Sequence, residues 1–451
     1  MRVITYGTFD LFHEGHRSIL ERAKALGDYL IVGVTSDSFD QARGKLNVVD
    51  TLATRMANVE RSGYANRIIV EEQSGQKILD ILKYRVDIFV VGSDWQGTFD
   101  YLQEYCKVQY LPRSPGISST LLRENSCFGL RIGAVGIQSL IASFVAEAKF
   151  VSGVHVECEL SIPDEEMERF LPDQRTDTLK SEWDRLLKSV DVVYVATPLC
   201  THFCYAREAL LAGKHVLCEK PLALHAQQVQ ELYDLAESGK TLLLEALITA
   251  FAPVFDEVLT VAKSGMIGRI KMVQATVTKP VQSSESTPCS AQNSELIPSS
   301  VSELGSYPLF AAIKLFGIDF GDVHFTTFRG GANMDLLTKM EVLYDSAVAC
   351  LTVGLGVQAK GDMVVAGTKG YLYIPAPWWK SSSFEVRFAD SSVKKFQSFF
   401  EGDGIRYELA HVASLLRDSS CASYRISRAE SAAIAEIIEH FHEGKNTRII
   451  H

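Results

Sequence analysis

Apolar residues come in short, nearly unbroken runs through the first quarter of the chain: RVITYG, YLIVGVTS, RIIVEE, IFVVGS and VQYLP. Runs of this length, apolar throughout, predict strands buried on both faces of a parallel sheet. Between the first two, HRSILERAKALGD sets Ile19, Leu20, Ala23 and Leu26 on one helical face. Strand, helix and strand in this order predict a doubly wound α/β domain over residues 1–126. A second cycle opens at residue 129, with LRIGAVG, VHVECELSI and DVVYVATP as strands. Helical segments, among them THFCYAREALLAG and AQQVQELYDLAESG, separate them. That pattern predicts a second nucleotide-binding type of sheet over residues 129–250. Past residue 268 the apolar period shortens to two, in IKMVQATVTK, KMEVLYDSAVACLTVGLG and GDMVVAGTKGYLYI. Residues 251–451 are therefore expected to form an α+β domain with a large, mostly antiparallel sheet, open on one face to solvent or a partner. Ser283–Ser300, rich in Ser, Pro and Asn, reads as a surface loop or lid, and 428–443 as a closing helix.

Composition narrows the class. The chain has 451 residues, too many for one ordinary core. A net charge of −10 argues against general nucleic-acid or acidic-membrane binding. It leaves room for anionic small molecules, which need only a few local cations and backbone N–H groups. The 9 cysteines are odd in number and form no CxxC pair, which disfavours a disulfide framework or a zinc ribbon. MRVITYGTFD runs straight into a strand pattern without a signal-peptide layout, and no apolar run reaches membrane-spanning length. A reduced, soluble, cytoplasmic protein is expected.

Candidate chemistry begins at TYGTFDLFHEGH. His13 and His16 lie three apart on an opening helical turn, just after a strand. Gly7, Thr8 and Phe9 form the turn, where free N–H groups attract phosphate. Two imidazoles there can donate to phosphate oxygens as negative charge builds during nucleotidyl transfer. RSPGISST, Arg113 to Thr120, adds a cation, a glycine turn and hydroxyls before a helical segment, again suited to phosphate.

Together these motifs resemble the HxGH and RTxGISTT signatures of the glycerol-3-phosphate cytidylyltransferases, and the resemblance covers residues 1 to about 124. GTFDLFHEGH, LERAKALGDYLIVGV, DIFVVGSDW and YLPRSPGISST follow in order. By that resemblance, His13, His16 and Arg113 carry the transfer. Thr8, Phe9, Gly116, Ile117, Ser118, Ser119 and Thr120 contact CTP, and Asp94 and Trp95 shape its pocket. Mg²⁺ accompanies the triphosphate, and the acceptor phosphate attacks the α-phosphorus directly. Arg43 and Lys45 fall where the family carries lysines over the acceptor, and Arg55 fits a family arginine. Eight residues beyond it the family usually has another arginine, whereas this chain has Gly63, with Arg61 and Arg67 nearby. That departure leaves the polyol phosphate open.

The densest later signal is VDVVYVATPLCTHFCYAREALLAGKHVLCEKPLAL. A lysine at the carboxyl end of a parallel strand, Lys220, sits where α/β sheets bind ligands. This stretch is similar to the Gfo/Idh/MocA oxidoreductases, as are SGMIGRI, ELGSYPLFAAIKLFG, GTKGYLYIPAPWW and EGDGIRYELAHV. The likeness spans roughly residues 130–445. It implies that Gly136, Thr197, Pro198, His202 and Glu219 line a dinucleotide site, with Lys220 beside the nicotinamide. Tyr307 would be the proton donor. The fingerprint departs from GxGxxG: Gln138 replaces the second glycine and Ile141 the third small residue, and both side chains are expected to crowd the pyrophosphate. Ser161 stands near the end of the second strand in place of an acid, which disfavours NAD and leaves NADP open.

The resemblances imply a bifunctional biosynthetic enzyme. A reductase makes a polyol or polyol-phosphate precursor from a keto compound, and a transferase activates it as a CDP-polyol for teichoic acid or capsule assembly. The alternative is a transferase fused to a catalytically inactive oxidoreductase-fold module. A homo-oligomer is expected under either.

Overall fold

The computed structural model describes residues 1–42, 48–73, 75–112, 129–151, 153–163, 170–171, 175–280, 299–330, 335–397 and 400–450. The chain divides into two compact units, Met1–Gly129 with Phe150–Gly153, and Leu130–Lys149 with Val154–His451.

The first unit is a five-stranded parallel sheet of β1 (Arg2–Gly7), β2 (Tyr29–Thr35), β3 (Arg67–Glu71), β4 (Ile88–Gly92) and β5 (Lys107–Leu111), ordered β3-β2-β1-β4-β5. Successive residues of a strand face opposite sides, and here both sides are apolar. Val3, Leu30, Val32 and Val90 join one cluster with Leu20 and Val59; Ile4, Ile31 and Phe89 join another with Ile81. Burying each such side chain contributes about 1.5–3 kcal/mol, which explains why these strands read as unbroken apolar runs. Strand order reverses between β1 and β4, so their carboxyl ends border the crevice where such sheets take ligands.

The second unit holds two sheets. One is parallel, built from β6 (Leu130–Ile137), β7 (Val154–Ile162), β8 (Val192–Ala196), β9 (His215–Glu219) and β10 (Leu243–Ala246), in the order β10-β9-β8-β6-β7. Its switch point lies between β6 and β8. The other sheet has nine strands: β11 (Ile270–Lys279), β12 (Val323–Arg329), β13 (Asp335–Tyr344), β14 (Ala347–Leu355), β15 (Met363–Gly367), β16 (Gly370–Ile374), β17 (Ser383–Phe388), β18 (Val393–Gln397) and β19 (Thr447–Ile450). On β11, Val273, Ala275 and Val277 are buried while Gln274 between them is exposed, the alternation of a sheet covered on one face. Most neighbouring pairs are antiparallel, as expected, but β11 pairs with β14 and β12 with β19 in parallel.

The closing helix, Arg428–His442, returns to the parallel sheet. Its Ala432 and Ala435 pack with Val229 and Leu232 of the helix Ala226–Gly239, where small side chains let the helices approach. Arg428 binds Gln230 and reaches Asp234 at 2.6 Å.

Candidate functional sites

In the first unit the chain leaves β1 through a strained turn. Phe9 and Leu11 take left-handed φ of 55° and 46°, which costs of order 1–3 kcal/mol for a residue with a side chain. The gain is local: Phe9 is buried, and its ring meets that of His16 edge-on at 5.4 Å. His13 caps the helix Glu14–Lys24 and accepts a hydrogen bond at Nδ1 from the Gly15 N–H, 3.0 Å. An Nδ1 that accepts leaves the ring proton on Nε2, so His13 offers a donor away from the helix. The rings of His13 and His16 stack at 3.9 Å, so the structure brings the two histidines together.

Three aspartates that sequence reasoning missed organise this turn. Asp10 accepts from the Val49 and Asp50 N–H groups at 3.0 and 2.9 Å. Asp50 accepts from Leu11 N–H at 3.1 Å, and Thr8 donates to Asp40 at 3.1 Å. No local motif marks these residues, because their partners lie 30 to 40 positions away.

Arg55 requires a correction. It is 0% exposed and donates to the carbonyls of Thr8, Thr35 and Asp50 at 2.7, 2.8 and 3.1 Å, and to the Asp37 carboxylate. A guanidinium spent on protein partners braces the β1 and β2 ends; it does not reach an acceptor phosphate. Trp95, half-buried, ends a short 3₁₀ turn at the carboxyl end of β4, near Phe99 at 6.0 Å. The Asp94 backbone belongs to the same turn, and its side chain lies outside the described residues. So do Arg43, Lys45, Arg113, Gly116, Ile117, Ser118, Ser119 and Thr120, and most of the expected lid.

In the second unit, Gly136 stands one residue before the end of β6, with φ of 149°. A Cβ there would overlap the Ala196 carbonyl, so only glycine allows β6 and β8 to close at this point. The helix Gln138–Ala148 follows with no side-chain hydrogen bond at its cap, and a helix start is where an anion is favoured. The fingerprint expectation needs correcting at Ile141. That residue is 1% exposed and shares the inward helical face with Phe144 and Ala148, so it fills the interior instead of crowding a phosphate. Gln138 stands exposed at the helix start.

Thr197 is 2% exposed, and its hydroxyl has no hydrogen-bond partner among the described residues. Pro198 is buried beside it. His202 is also corrected. Its ring nitrogens lie 2.9 Å from the Thr197 and Pro221 carbonyls inside the protein. Burial lowers its pKa, so it is neutral, donates to one of the two, and ties the end of β8 to the segment after Lys220 without facing a ligand.

Lys220 donates to the Glu303 carbonyl at 2.7 Å, with Nζ 5.5 Å from the centre of the Tyr307 ring. Burial opposes its charge, but Tyr307, Glu303, Glu219 and Glu245 outweigh burial and hold its pKa above the free value. Burial pushes the Tyr307 hydroxyl up to about 12, with Lys220 pulling the other way. Gly305 lets this helical segment close, since a Cβ there would overlap the Val301 carbonyl. Glu219 accepts from the Tyr194 hydroxyl at 2.7 Å, and Tyr194 stacks on Phe144 at 3.9 Å. The arrangement is a half-buried phenol beside a half-buried ammonium at the carboxyl end of a parallel sheet, a proton donor with a charge to assist it.

The Gly136 cradle, the open helix end and the Thr197 hydroxyl without a partner together fit a dinucleotide, whose pyrophosphate needs close backbone approach and donors. Among the described residues no helix is long and apolar enough to cross a membrane.

Comparison with known proteins agrees with both halves. Residues 4–125 match the cytidylyltransferase-like family and residues 130–246 the oxidoreductase family with an NAD-binding Rossmann fold. The glycerol-3-phosphate cytidylyltransferase of Bacillus spizizenii is 50% identical over 124 residues, 28% of this chain and 95% of that enzyme. The Staphylococcus aureus enzyme of the same name is 46% identical over 123 residues, 27% of this chain and 92% of its own. The trans-1,2-dihydrobenzene-1,2-diol dehydrogenase of Xenopus laevis is 28% identical over 257 residues, covering 55% of this chain and 77% of that one. In fold, 71% of the chain superposes on 99% of KijD10, a 3-ketoreductase from Actinomadura kijaniata, with TM-score 0.60 at 20% identity. The chain belongs to the cytidylyltransferase-like family through residues 4–125 and joins to that nucleotidyltransferase an oxidoreductase of the Gfo/Idh/MocA family.

Proposed function

We propose that the chain is a bifunctional biosynthetic enzyme whose first unit transfers the cytidylyl group of CTP to a small polyol phosphate of the glycerol phosphate kind. The observation that carries this reading is the stacked His13–His16 pair at the carboxyl end of β1. It stands in a segment half identical to enzymes named for transfer to glycerol 3-phosphate. An acceptor phosphate oxygen attacks the α-phosphorus of CTP, the bond to the β-phosphate bridge breaks, and pyrophosphate leaves with a CDP-polyol as product. His13 and His16 donate to phosphate oxygens as charge grows there, and Thr8, Phe9, Asp94 and Trp95 shape the nucleotide pocket. Arg113 and the Gly116–Thr120 segment complete it, Mg²⁺ enters with the triphosphate, and Arg43 and Lys45 hold the acceptor. Arg55 and Asp40 keep Thr8 in place.

The second unit is an NADP-dependent reductase acting on a keto precursor of that polyol. Gly136, Thr197, Pro198 and the start of the helix Gln138–Ala148 would hold the cofactor, which supplies a hydride when bound. Tyr307 gives the proton to the substrate oxygen, Lys220 stabilises the charge on that oxygen, and Glu219 keeps Lys220 protonated. Domains 1–126, 129–250 and 251–451, a cytoplasmic location, a homo-oligomer and a product feeding a surface polymer complete the reading.

Two assays test it. Pyrophosphate release with CTP and Mg²⁺ is measured against glycerol 3-phosphate, glycerol 2-phosphate, erythritol 4-phosphate and ribitol 5-phosphate. Turnover with one acceptor, lost in His16→Ala, is expected; equal turnover with ATP, or none with any acceptor, overturns the CDP-polyol reading. Titration with NADPH, followed by nicotinamide fluorescence, is expected to saturate, and a flat response would falsify the reductase half.

A further inference from the structure

Two tryptophans stand side by side after β16, and the fold gives them different tasks. Trp378 and Trp379 open the short 3₁₀ turn Trp378–Lys380. Trp378 is 1% exposed, and its ring nitrogen donates to the Thr276 carbonyl of β11 at 3.1 Å. Its backbone N–H donates to the Gly361 carbonyl, also at 3.1 Å. Side chain and backbone thus tie this residue to the nine-stranded sheet, and it anchors the turn. Trp379 is half-buried, and its ring meets that of Trp378 edge-on at 6.1 Å. A ring held across an anchored neighbour is presented in one place instead of swinging free.

The place of presentation is the reductase site. The rings of Trp379 and Tyr307 lie 6.1 Å apart with their planes at 35°. Lys220 Nζ lies 5.5 Å from the centre of the same Tyr307 ring. Three elements therefore meet at Tyr307: the end of β9, the helix Ser306–Phe316 and the turn Trp378–Lys380. Lys220, Tyr307 and Trp379 are all half-buried, so each keeps part of its surface accessible, as Trp378 does not.

Packing alone does not call for a second indole here. The core side of the turn is filled by Trp378, with the Phe255 ring beside it at 6.3 Å. What Trp379 adds is chemistry. An indole joins a flat apolar face to an N–H donor at its edge. A carbon chain that bears hydroxyl groups has the matching character, with C–H groups to cover the face and hydroxyls to reach the rim. A ketone whose oxygen meets the Tyr307 hydroxyl has its chain beside that ring, and the indole is the adjoining surface.

We propose that Trp379 contacts the substrate of the reductase site, its indole face packing against the carbon chain of a polyhydroxylated ketone whose carbonyl meets Tyr307. The proposal rests on the reductase reading of the second unit. Trp379 takes no part in hydride or proton transfer; it fixes where the carbonyl lies. A hydroxylated ketone suits a reductase whose product is to become a polyol.

The test uses the full chain, wild type, Trp379→Phe and Trp379→Ala, with NADPH and three ketones: dihydroxyacetone phosphate, ribulose 5-phosphate and 2-pentanone. Trp379→Ala should raise KM for the hydroxylated ketone that the wild type reduces by about 10-fold, more than it lowers kcat, with NADPH affinity moved less than about twofold. Trp379→Phe, which keeps a ring face, should raise KM less than Trp379→Ala. In the non-reacting complex with NADP⁺, adding that ketone should shift tryptophan emission in the wild type and not in Trp379→Phe. An unchanged KM in Trp379→Ala, or a fall in kcat alone, overturns the contact and leaves Trp379 a prop for Tyr307. Faster reduction of 2-pentanone than of either hydroxylated ketone overturns the substrate class, as does turnover of none of the three. Failure of the wild-type chain to bind NADPH overturns the reductase reading, and the role of Trp379 with it.

Discussion

The two sites solve opposite electrostatic problems. In the first unit, His13, His16 and Trp95 are half-buried at the carboxyl edge of the sheet, and the buried groups beneath them brace the turn. In the second, Tyr307, Glu219 and Glu245 favour the charged form of Lys220, and Lys220 in turn pulls down the pKa of Tyr307. Phosphoryl-type transfer needs positioned donors around charge that the substrate already carries. Reduction needs a proton kept ready, which a phenol held beside an ammonium supplies. The contrast teaches that buried groups brace the first site from below, whereas at the second the neighbouring charged groups themselves set the chemistry.

The largest effect that could break this comparison is at Arg406. Its pair with Glu147 is buried on both sides, at 7% and 8% side-chain exposure. Arg406→Ala leaves that carboxylate alone in the interior and should cost about 3–5 kcal/mol. Urea unfolding followed by tryptophan fluorescence reads it. A loss under about 1 kcal/mol would mean that the helix Ile405–Arg417 is not seated by this pair.

Next comes the transfer site. Removing one preorganised donor from developing charge typically lowers kcat about 10²–10³-fold, and His16→Ala should do so with NADPH binding unchanged. If kcat survives within tenfold, His16 is only an aromatic partner of Phe9 and His13, and the first unit too uses burial as scaffold alone.

A pH series sharpens the contrast. Burial, the largest influence, raises Glu245 from 4.5 to about 7. Between those values the unfolded chain has released this proton and the folded chain has not. The folded state then binds more protons, so stability falls as pH rises, by about 3 kcal/mol across the window. Below pH 4.5 the contribution is fully present. Glu245→Gln should flatten the slope in urea titrations from pH 4.5 to 7, and an unchanged slope would assign it elsewhere.

What the sequence made legible was whatever is local. Strands such as RVITYG and DVVYVATP announce themselves through unbroken apolar residues, and the HEGH and EKP segments hold their chemistry within a few positions. Relations across the chain were hidden. Arg55 reads as a family arginine at the acceptor until Thr8 and Thr35, 47 and 20 positions away, are seen to occupy it. Ile141 looked like an obstruction because a fingerprint counts positions, whereas the helical period turns that side chain inward. β19 pairs Thr447–Ile450 in parallel with Phe325–Phe328, and no period in either segment points to the other.

The smallest effect concerns how the closing helix is tied to the second site. Ser427 accepts from Glu430 N–H at 3.3 Å, and the Glu430 carboxylate accepts from Ser427 N–H at 2.8 Å, a reciprocal cap. Glu430 also binds Lys314 at 2.9 Å, so its side chain stays placed when the serine hydroxyl is removed. Ser427→Ala should therefore cost about 1 kcal/mol in urea unfolding. Four residues further along, Ser431 donates to Glu245, the group whose titration sets the pH slope. If the cap only steadies the helix end, Ser427→Ala lowers stability equally at pH 5 and pH 7. A loss that grows toward pH 7 would mean that fraying reaches Ser431, which matters most once Glu245 is charged. The cap would then belong to the electrostatics of the second site and not to its scaffold.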